Sequence, residues 1–183
     1  MARLPYPDPA AAPEKARALF EALPVKLNLF RMLLHAPSAM RGYLSLGNAI
    51  LARQKLDPRI RELAILRVAA LSPAEYERTQ HVPIAKACGA TDAEITAAAK
   101  GDFAGLDPRT ALALRFTDAC LREVRVPDAL FEEARGAFTP QEIVELVFTI
   151  GHYMMTARLI ETLGVDLEPP AAEMTGLYGL KTR

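Results

Sequence analysis

Hydrophobic residues recur at helical spacing along almost the whole chain, and no stretch alternates apolar and polar residues for long enough to form a β-strand. Similar start signals open several of the apolar segments: a side chain that can cap a helix precedes a proline at the first helical position. These signals are Asp57-Pro58, Ser72-Pro73, Asp107-Pro108 and Thr139-Pro140. The pattern predicts an all-α fold.

The same signals place the helices along the chain. We expect helices over residues 13–23, 27–35, 38–54, 58–71, 73–88, 91–100, 108–124, 127–136 and 140–164. The proline-rich residues 1–12 predict an extended arm, and residues 167–183 predict an irregular tail. A chain of 183 residues can bury one core of its own, so we expect a single all-α domain over residues 1–183.

The most informative stretch runs from Asp57 to Gly89 and predicts two helices joined by a tight corner. The first helix is apolar apart from Arg61, Glu62 and Arg67, which indicates that it is largely buried. The carboxylate at position 62 is followed one turn later by apolar residues, so we expect it to point into apolar surroundings.

The second helix of this pair carries the leading candidates for chemistry. Ser72 and Glu75 have the spacing of a capping box, so the helix should begin there. Glu77 and His81 are four residues apart and therefore share one face. Pro83 removes a backbone hydrogen bond and should open the helix beside the histidine ring, which indicates a pocket wall.

Composition limits the partners of the chain. The 22 basic and 22 acidic residues give a net charge of zero, whereas binding to nucleic acid or to an anionic membrane usually goes with a basic excess. The N-terminus lacks the apolar core of a signal peptide, and we expect no apolar run to be long enough to span a bilayer. We therefore expect a cytoplasmic protein that binds neither nucleic acid nor membrane.

The sequence predicts neither a metal nor another cofactor. Cys88 and Cys120 are too few and too far apart for a disulfide framework or a zinc site, and they are interpreted as small buried residues. The three histidines are widely separated, and no phosphate loop, dinucleotide fingerprint or nucleophile elbow is present.

The last predicted helix is apolar on nearly every side, from Ile143 to Leu163. Such a helix lies at the centre of a large core or is shared with another subunit. For a chain of this size we favour the subunit interface and predict a homo-oligomer.

Four segments carry a resemblance to a known family. They are E-L-x-I-L-R-V-A from Glu62, Y-E-x-x-x-H-x-x-I-A from Tyr76, C-G-A-T-D-x-E-I from Cys88 and E-L-V-F-x-I-G-H-Y-M-M-x-A-R from Glu145. Together they make residues 28–167 resemble the carboxymuconolactone decarboxylase family, which shares its fold with the alkylhydroperoxidase D proteins. The resemblance implies an alkylhydroperoxidase D-like helical domain, assembled as a trimer or a hexamer.

The chain departs from the peroxidase branch of that fold at the two cysteines. That branch carries C-x-x-C four residues before the histidine that corresponds to His81, and a glutamate that corresponds to Glu62. Here Ala74 and Glu77 occupy the cysteine positions. A thiol peroxidase needs a reactive thiolate and a resolving partner, so this substitution argues against thiol chemistry.

The resemblance implies that His81 and Glu62 are catalytic, with Glu77 as a third candidate. His81 would transfer a proton, and Glu62, its pKa raised by apolar neighbours, would orient or recharge it. Each has a structural alternative: His81 as a core histidine, Glu62 as a surface ion pair with Arg59, and Glu77 as an ordinary Glu–His pair on a helix surface or a purely steric replacement for the family cysteine.

The candidates for substrate binding are Tyr76, His152, Tyr153 and Arg158, and Arg41 is a further possible anchor for an acid. The resemblance implies a cofactor-independent lyase or isomerase of aromatic catabolism, acting on a small lactone or on an unsaturated or cyclic carboxylic acid. Decarboxylation and proton-transfer isomerisation both fit this description. The alternatives are an alkylhydroperoxidase-like antioxidant protein and a non-catalytic binding or scaffold protein with the same fold.

Overall fold

The computed structural model describes residues 1–168, and within this range the chain consists of helices and loops without a β-strand. The helices are α1 (Glu14–Glu21), α2 (Asn28–Met32), α3 (Pro37–Arg53), α4 (Pro58–Leu71), α5 (Glu75–Ala87), α6 (Asp92–Lys100), α7 (Pro108–Glu123), α8 (Asp128–Ala137) and α9 (Pro140–Leu163). Short 3₁₀ turns lie at Pro9–Ala11 and Leu33–His35. The predicted all-α fold is confirmed, and each predicted helix is present within a few residues of its expected bounds.

Helix α4 is the centre of the fold, because it packs against α5, α6, α7 and α9. Asp57 caps its first turn by accepting hydrogen bonds from the N–H groups of Arg59 and Ile60 at 2.8 and 3.1 Å. Every residue from Ile60 to Ala69 is buried. The prediction that this helix is largely buried is therefore confirmed.

The charge of Arg67 in α4 is neutralised inside the core. Its guanidinium forms a two-point ion pair with Asp118 of α7, at 2.5 and 2.9 Å, and donates to the carbonyl oxygen of Ala98 in α6 at 3.1 Å. The chain leaves α6 at Gly101 with φ of 79°, where a Cβ atom would lie 2.7 Å from Nη2 of Arg67. A glycine is required there, and the guanidinium ties three helices together.

The corner between α4 and α5 differs from the prediction, because Ser72 and Glu75 do not form a capping box. The N–H of Ser72 bonds to the carbonyl of Val68, and the N–H of Ala74 bonds to the carbonyl of Ala69, both at 2.9 Å. These groups complete the end of α4, and α5 begins only at Glu75. The apparent start signal is used to finish the preceding helix.

Helix α9 is the longest helix of the described part of the chain. Thr139 and Glu142 form a reciprocal capping box at its start, and Gly164, with φ of 60°, ends it. By length and composition α9 could cross a membrane, so the expectation that no apolar run is long enough was wrong. Half of its most apolar window is buried, and the core helices of soluble proteins pass the same test.

The N-terminal arm packs against its own chain. The N–H of Arg3 donates to the carbonyl oxygen of the last residue of α9 at 2.8 Å. The arm is not extended throughout, because Asp8 caps the 3₁₀ turn at Pro9–Ala11. Most of the predicted tail, residues 169–183, lies outside the described residues.

Candidate active site

Helices α4 and α5 bring an acid and an imidazole into direct contact. Nδ1 of His81 lies 2.8 Å from Oε2 of Glu62, and both side chains are buried. The tight corner folds α5 back against α4, so two residues 19 positions apart meet in the core. The geometry joins the two residues that the sequence analysis selected as a proton-transfer pair.

Arg61 completes this arrangement from the other side of the carboxylate. Its Nε donates to Oε1 of Glu62 at 2.8 Å, and the Arg61 side chain is also buried. Burial by itself would raise the pKa of Glu62, but the hydrogen bonds and charges of His81 and Arg61 outweigh it and lower the pKa. The predicted rise in this pKa was therefore wrong, and Glu62 is a stable carboxylate.

The structural alternative for Glu62 was also wrong. Arg59 does not pair with it; this guanidinium binds Glu94 and Asp107, on the far side of the helix start. Helix geometry explains the difference, because Arg59 lies in the capped first turn, beside the start of α6, whereas Glu62 lies on the face that α5 covers.

His81 lines a cavity of about 190 Å³ between α2, α3, α5 and α9. The wall is mainly apolar, with Leu27, Phe30, Leu44, Leu51, Ile84 and Ile160 among its residues. Its polar side chains are Tyr43, Asn48, Tyr76, Glu77, Gln80, His81, His152, Tyr153 and Thr156. An apolar cavity of about 150 Å³ is enough to hold a benzene ring, so this one can hold a single small ring.

Glu77 lies on the wall of this cavity and is only 2% exposed. Neither of its carboxyl oxygens has a hydrogen-bond partner in the described part of the chain. Burial, with a smaller contribution from the charge of Glu161, raises its pKa to about 8. The interpretation as a surface Glu–His pair was wrong, because the carboxyl group is buried and makes no hydrogen bond to His81.

His152 faces the cavity from α9 and is 5% exposed. Burial, and then the charge of His81, lower its pKa to about 4, so its imidazole is neutral at physiological pH. Its ring lies between Tyr43 and Tyr153, at centroid distances of 4.8 and 5.3 Å. Gly47 leaves room for the ring, because a Cβ atom there would lie 3.2 Å from Nε2 of His152.

Tyr76 and Tyr153 both line the cavity, as their selection as substrate-binding candidates requires. The ring of Tyr153 stands edge-on to His81, with centroids 4.8 Å apart. The hydroxyl of Tyr76 donates to Glu168 at 2.5 Å, and Gln80 donates to the same carboxylate at 2.7 Å. The last described residues of the chain are thereby attached to the cavity wall.

Arg158 does not lie in the cavity, although the sequence analysis selected it as a substrate-binding residue. Its side chain is exposed, and its Nη1 donates to the carbonyl oxygen of Met154 at 2.8 Å. His152 and Thr156 face the cavity, and a residue two positions beyond Thr156 points about 200° away on a helix. Arg41 is likewise exposed, and no arginine or lysine of residues 1–168 lines the cavity.

Three residues near the site were missed as functional candidates. Arg61 interrupts the apolar pattern of α4, and a charge in a buried helix needs a partner beside it. Asn48 and Gln80 line the cavity. Helical spacing could have found both, because each follows another lining residue, Leu44 or Tyr76, by four positions.

The two thiols lie away from the cavity wall. Sγ of Cys88 is 3.7 Å from Nη2 of Arg61, and burial raises the pKa of both Cys88 and Cys120. Neither environment favours a thiolate. Within residues 1–168, no group of three or more His, Cys, Asp or Glu side chains is arranged to hold a metal ion.

One known family resembles the part of the chain that carries this site. The model of the carboxymuconolactone decarboxylase family matches residues 37–119, which contain Glu62, Glu77 and His81. The resemblance predicted from the sequence is confirmed over residues 37–119, which match the model of this family. No curated protein sequence matches the chain.

Solved structures share the whole fold. A peroxidase-related protein from Ralstonia eutropha, described as an alkylhydroperoxidase AhpD core, has a TM-score of 0.78 and 22% identity, covering 100% of this chain and 98% of its own. A peroxidase-related protein from a Silicibacter species has a TM-score of 0.75 and 19% identity, covering 96% of this chain and 94% of its own. At these identities the likeness shows the alkylhydroperoxidase D-like fold alone.

Proposed function

We propose that this protein is a cofactor-independent acid/base enzyme of the carboxymuconolactone decarboxylase type. Its substrate is a small lactone or an unsaturated or cyclic acid of about the size of one ring. The observation that carries the proposal is the buried series of contacts from Arg61 through Glu62 to His81, which ends at the wall of a cavity of suitable size.

The contacts of Glu62 support a role for this residue and for the histidine. An ionised carboxylate can only accept hydrogen bonds, so Nδ1 of His81 must donate to Oε2 of Glu62. Nε2 is then the ring nitrogen that can take a proton from a guest or return one. Glu62 holds the ring in this tautomer and stabilises the imidazolium that forms, while Arg61 keeps Glu62 ionised.

Two reactions can use this nitrogen, which acts first as a base in one and as an acid in the other. In an isomerisation, Nε2 of His81 takes a proton from the carbon next to a carbonyl group, the C–H electron pair forms an enolate, and the proton returns to another carbon of the conjugated system. In a decarboxylation, the bond to the carboxylate breaks, carbon dioxide leaves, and the protonated His81 delivers a proton to the enolate carbon. The isomerisation returns the proton that it took, whereas the decarboxylation consumes one proton, which water must restore to His81 before the next turnover. Neither reaction changes an oxidation state, so neither needs an oxidant or a reductant.

The absence of thiols at the site favours this class of reaction over peroxide chemistry. It includes decarboxylases as well as alkylhydroperoxidase D-like peroxidases. The peroxidase route needs thiols at the positions of Ala74 and Glu77, and the two cysteines of the chain lie elsewhere, with raised pKa values.

Replacement of His81 tests the proposal. His81→Gln should lower turnover of a reactive lactone or cyclic acid, found by absorbance screening of a panel, by about 10²- to 10⁴-fold. His35→Gln is the matched control, because His35 is exposed and its ring hydrogen-bonds to the carbonyl oxygen of Pro5 in the N-terminal arm. The activity of this variant should stay at the wild-type level. Retained turnover in His81→Gln would remove this histidine from the mechanism.

We also propose that the chain assembles as a homo-oligomer, a trimer or a hexamer, through the outer face of α9. Val144, Val147, Phe148 and Met155 are large, exposed apolar residues at spacings that place them on one side of this helix. Light scattering should show a smaller particle for Phe148→Asp and an unchanged one for Val124→Asp, which alters an exposed valine beyond α7. An unchanged particle in both variants would place the interface elsewhere.

A further inference from the structure

Three buried polar atoms on the walls of the cavity lack a hydrogen-bond partner among residues 1–168. They are the two carboxyl oxygens of Glu77, on α5, and Nδ1 of His152, on α9. Buried polar atoms in folded proteins nearly always have partners, because an unmade hydrogen bond in the interior is costly. Unpaired polar groups on two helices that line one cavity indicate a ligand that forms hydrogen bonds with both.

The charges around the cavity indicate that this ligand is uncharged. None of the described lining residues is an arginine or a lysine. Of the two arginines discussed above, Arg61 is paired with Glu62, and Arg158 lies on the outer face of α9. A bound carboxylate would therefore be buried beside Glu77 without a counter-charge, which strongly disfavours binding.

We propose that the cavity binds a small uncharged ring with a carbonyl group, whose oxygen accepts a hydrogen bond from the carboxyl group of Glu77. A second polar atom of the ring pairs with Nδ1 of His152. This inference rests on the proposed function and names its substrate class: lactones and cyclic ketones rather than carboxylates. Of the two candidate reactions, it selects proton-transfer isomerisation.

The protonation of Glu77 suits this role. Its pKa of about 8 leaves the carboxyl group mostly protonated at neutral pH, so it can donate a hydrogen bond. During proton transfer by His81, the same O–H would stabilise the negative oxygen of the enolate.

The surrounding groups leave the charge of Glu77 unneutralised. The other titratable side chains on the cavity wall are Tyr43 from α3, Tyr76 and His81 from α5, and His152 and Tyr153 from α9. His81 is already paired with Glu62, and His152 is neutral. Glu161, also on α9, acts on Glu77 with a like charge.

Calorimetric titration with two probes of similar size tests the substrate class. At pH 7 the wild-type protein should bind cyclohexanone at least about tenfold more tightly than cyclohexanecarboxylate, which carries a charge into the apolar cavity. At pH 9, where Glu77 is mostly ionised, the affinity for cyclohexanone should fall by about two- to tenfold, the usual worth of one hydrogen bond.

Variants assign this pH dependence to Glu77. Glu77→Gln keeps an N–H donor without a titratable charge, so its affinity for cyclohexanone should be similar at both pH values. Glu75→Gln is the matched control, because Glu75 lies on the same helix but is exposed and pairs with Arg78; it should keep the wild-type pH dependence.

Three outcomes would overturn the inference: equal or tighter binding of cyclohexanecarboxylate at pH 7, the absence of binding by cyclohexanone, or a pH dependence that persists in Glu77→Gln. Titration requires no turnover, so the two proposals fail separately. Normal turnover in His81→Gln would end the proposed mechanism, whereas the preference between the two probes is judged from binding alone.

Discussion

The two buried carboxyl groups near His81 differ in their hydrogen bonding and in the direction in which their pKa values are shifted. Glu62 is 0% exposed, accepts hydrogen bonds from His81 and Arg61, and has a lowered pKa. Glu77 is 2% exposed, has no hydrogen-bond partner among the described residues, and has a pKa raised to about 8. Burial is nearly equal at the two positions, so it does not decide the charge. The partners that the fold supplies decide it.

This difference divides the chemical tasks of the site. An acid that stays ionised can orient an imidazole and stabilise its charged form, as Glu62 is placed to do. An acid that stays neutral can donate a hydrogen bond to a developing oxyanion, as we infer for Glu77. Two glutamates on adjoining helices thereby acquire different roles from their surroundings alone.

The largest effect is expected when the paired acid loses its charge. Glu62→Gln leaves Arg61 buried without a counter-charge and should lower the free energy of unfolding by about 3 to 5 kcal/mol, measured by urea denaturation. The double variant Arg61→Leu/Glu62→Gln should recover part of this loss. An unchanged stability in the single variant would contradict the buried ion pair.

Replacement of the unpaired acid, Glu77, should raise the free energy of unfolding instead of lowering it. Glu77→Met removes a carboxyl group without partners and fills similar space with apolar atoms, so the free energy of unfolding should rise by about 1 to 3 kcal/mol. The same variant should lose affinity for cyclohexanone. A marked loss of stability would mean that Glu77 makes stabilising contacts, and the contrast with Glu62 would fail.

Between pH 6.5 and about 8, the change in stability with pH should report mainly the titration of Glu77. Its pKa is 4.5 ordinarily and about 8 in the folded state, so folding binds a proton in this range and stability falls as pH rises. The loss should be about 1 to 2 kcal/mol, at about 1.4 kcal/mol per pKa unit. The titration of His152 changes the stability mainly below its ordinary pKa of 6.5, because its pKa in the folded state is about 4.

Urea denaturation of the wild type and of Glu77→Gln at pH 6.5 and 8.5 measures this loss. The variant should show a smaller decrease, because its amide does not titrate. Equal decreases in the two proteins would assign the effect to another group.

The smallest effect concerns the space left for His152. Gly47→Ala places a Cβ atom 3.2 Å from Nε2 of this ring, which must shift slightly. The gain in helix propensity, about 1 kcal/mol, should be largely cancelled. Gly42→Ala, on the same helix with nothing within 4 Å of its Cβ, should show the full gain in thermal denaturation. Equal gains would show that the ring has room to move.

Much of the helical architecture was predictable because its signals are local. The caps at Asp57, Asp107 and Thr139 act within their own first turns and formed as the sequence indicated. The signal at Ser72 failed because the end of α4 used the same residues. Whether a residue between two helices ends the first or begins the second depends on the geometry of the corner. The spacing of residues in the sequence does not reveal this geometry.

In the candidate site, too, the features that depend on local spacing were predicted and those that depend on tertiary packing were not. The sequence predicted that Glu77 and His81 share a helix face, and the family motif indicated Glu62, because spacing along one helix and within a motif is visible in the chain. Arg158 was misplaced because a helix that is apolar on all sides does not reveal which side meets the cavity.

By itself, the sequence determined the all-α class, the order of the helices and the resemblance to a known family, since capping, periodicity and motif spacing act over a few residues. Only the tertiary structure decided that Glu62 is ionised and Glu77 is not. The energy of a buried charge depends on the groups that other elements place within a few ångströms of it, and in this fold Arg61 and His81 reach only one of the two acids.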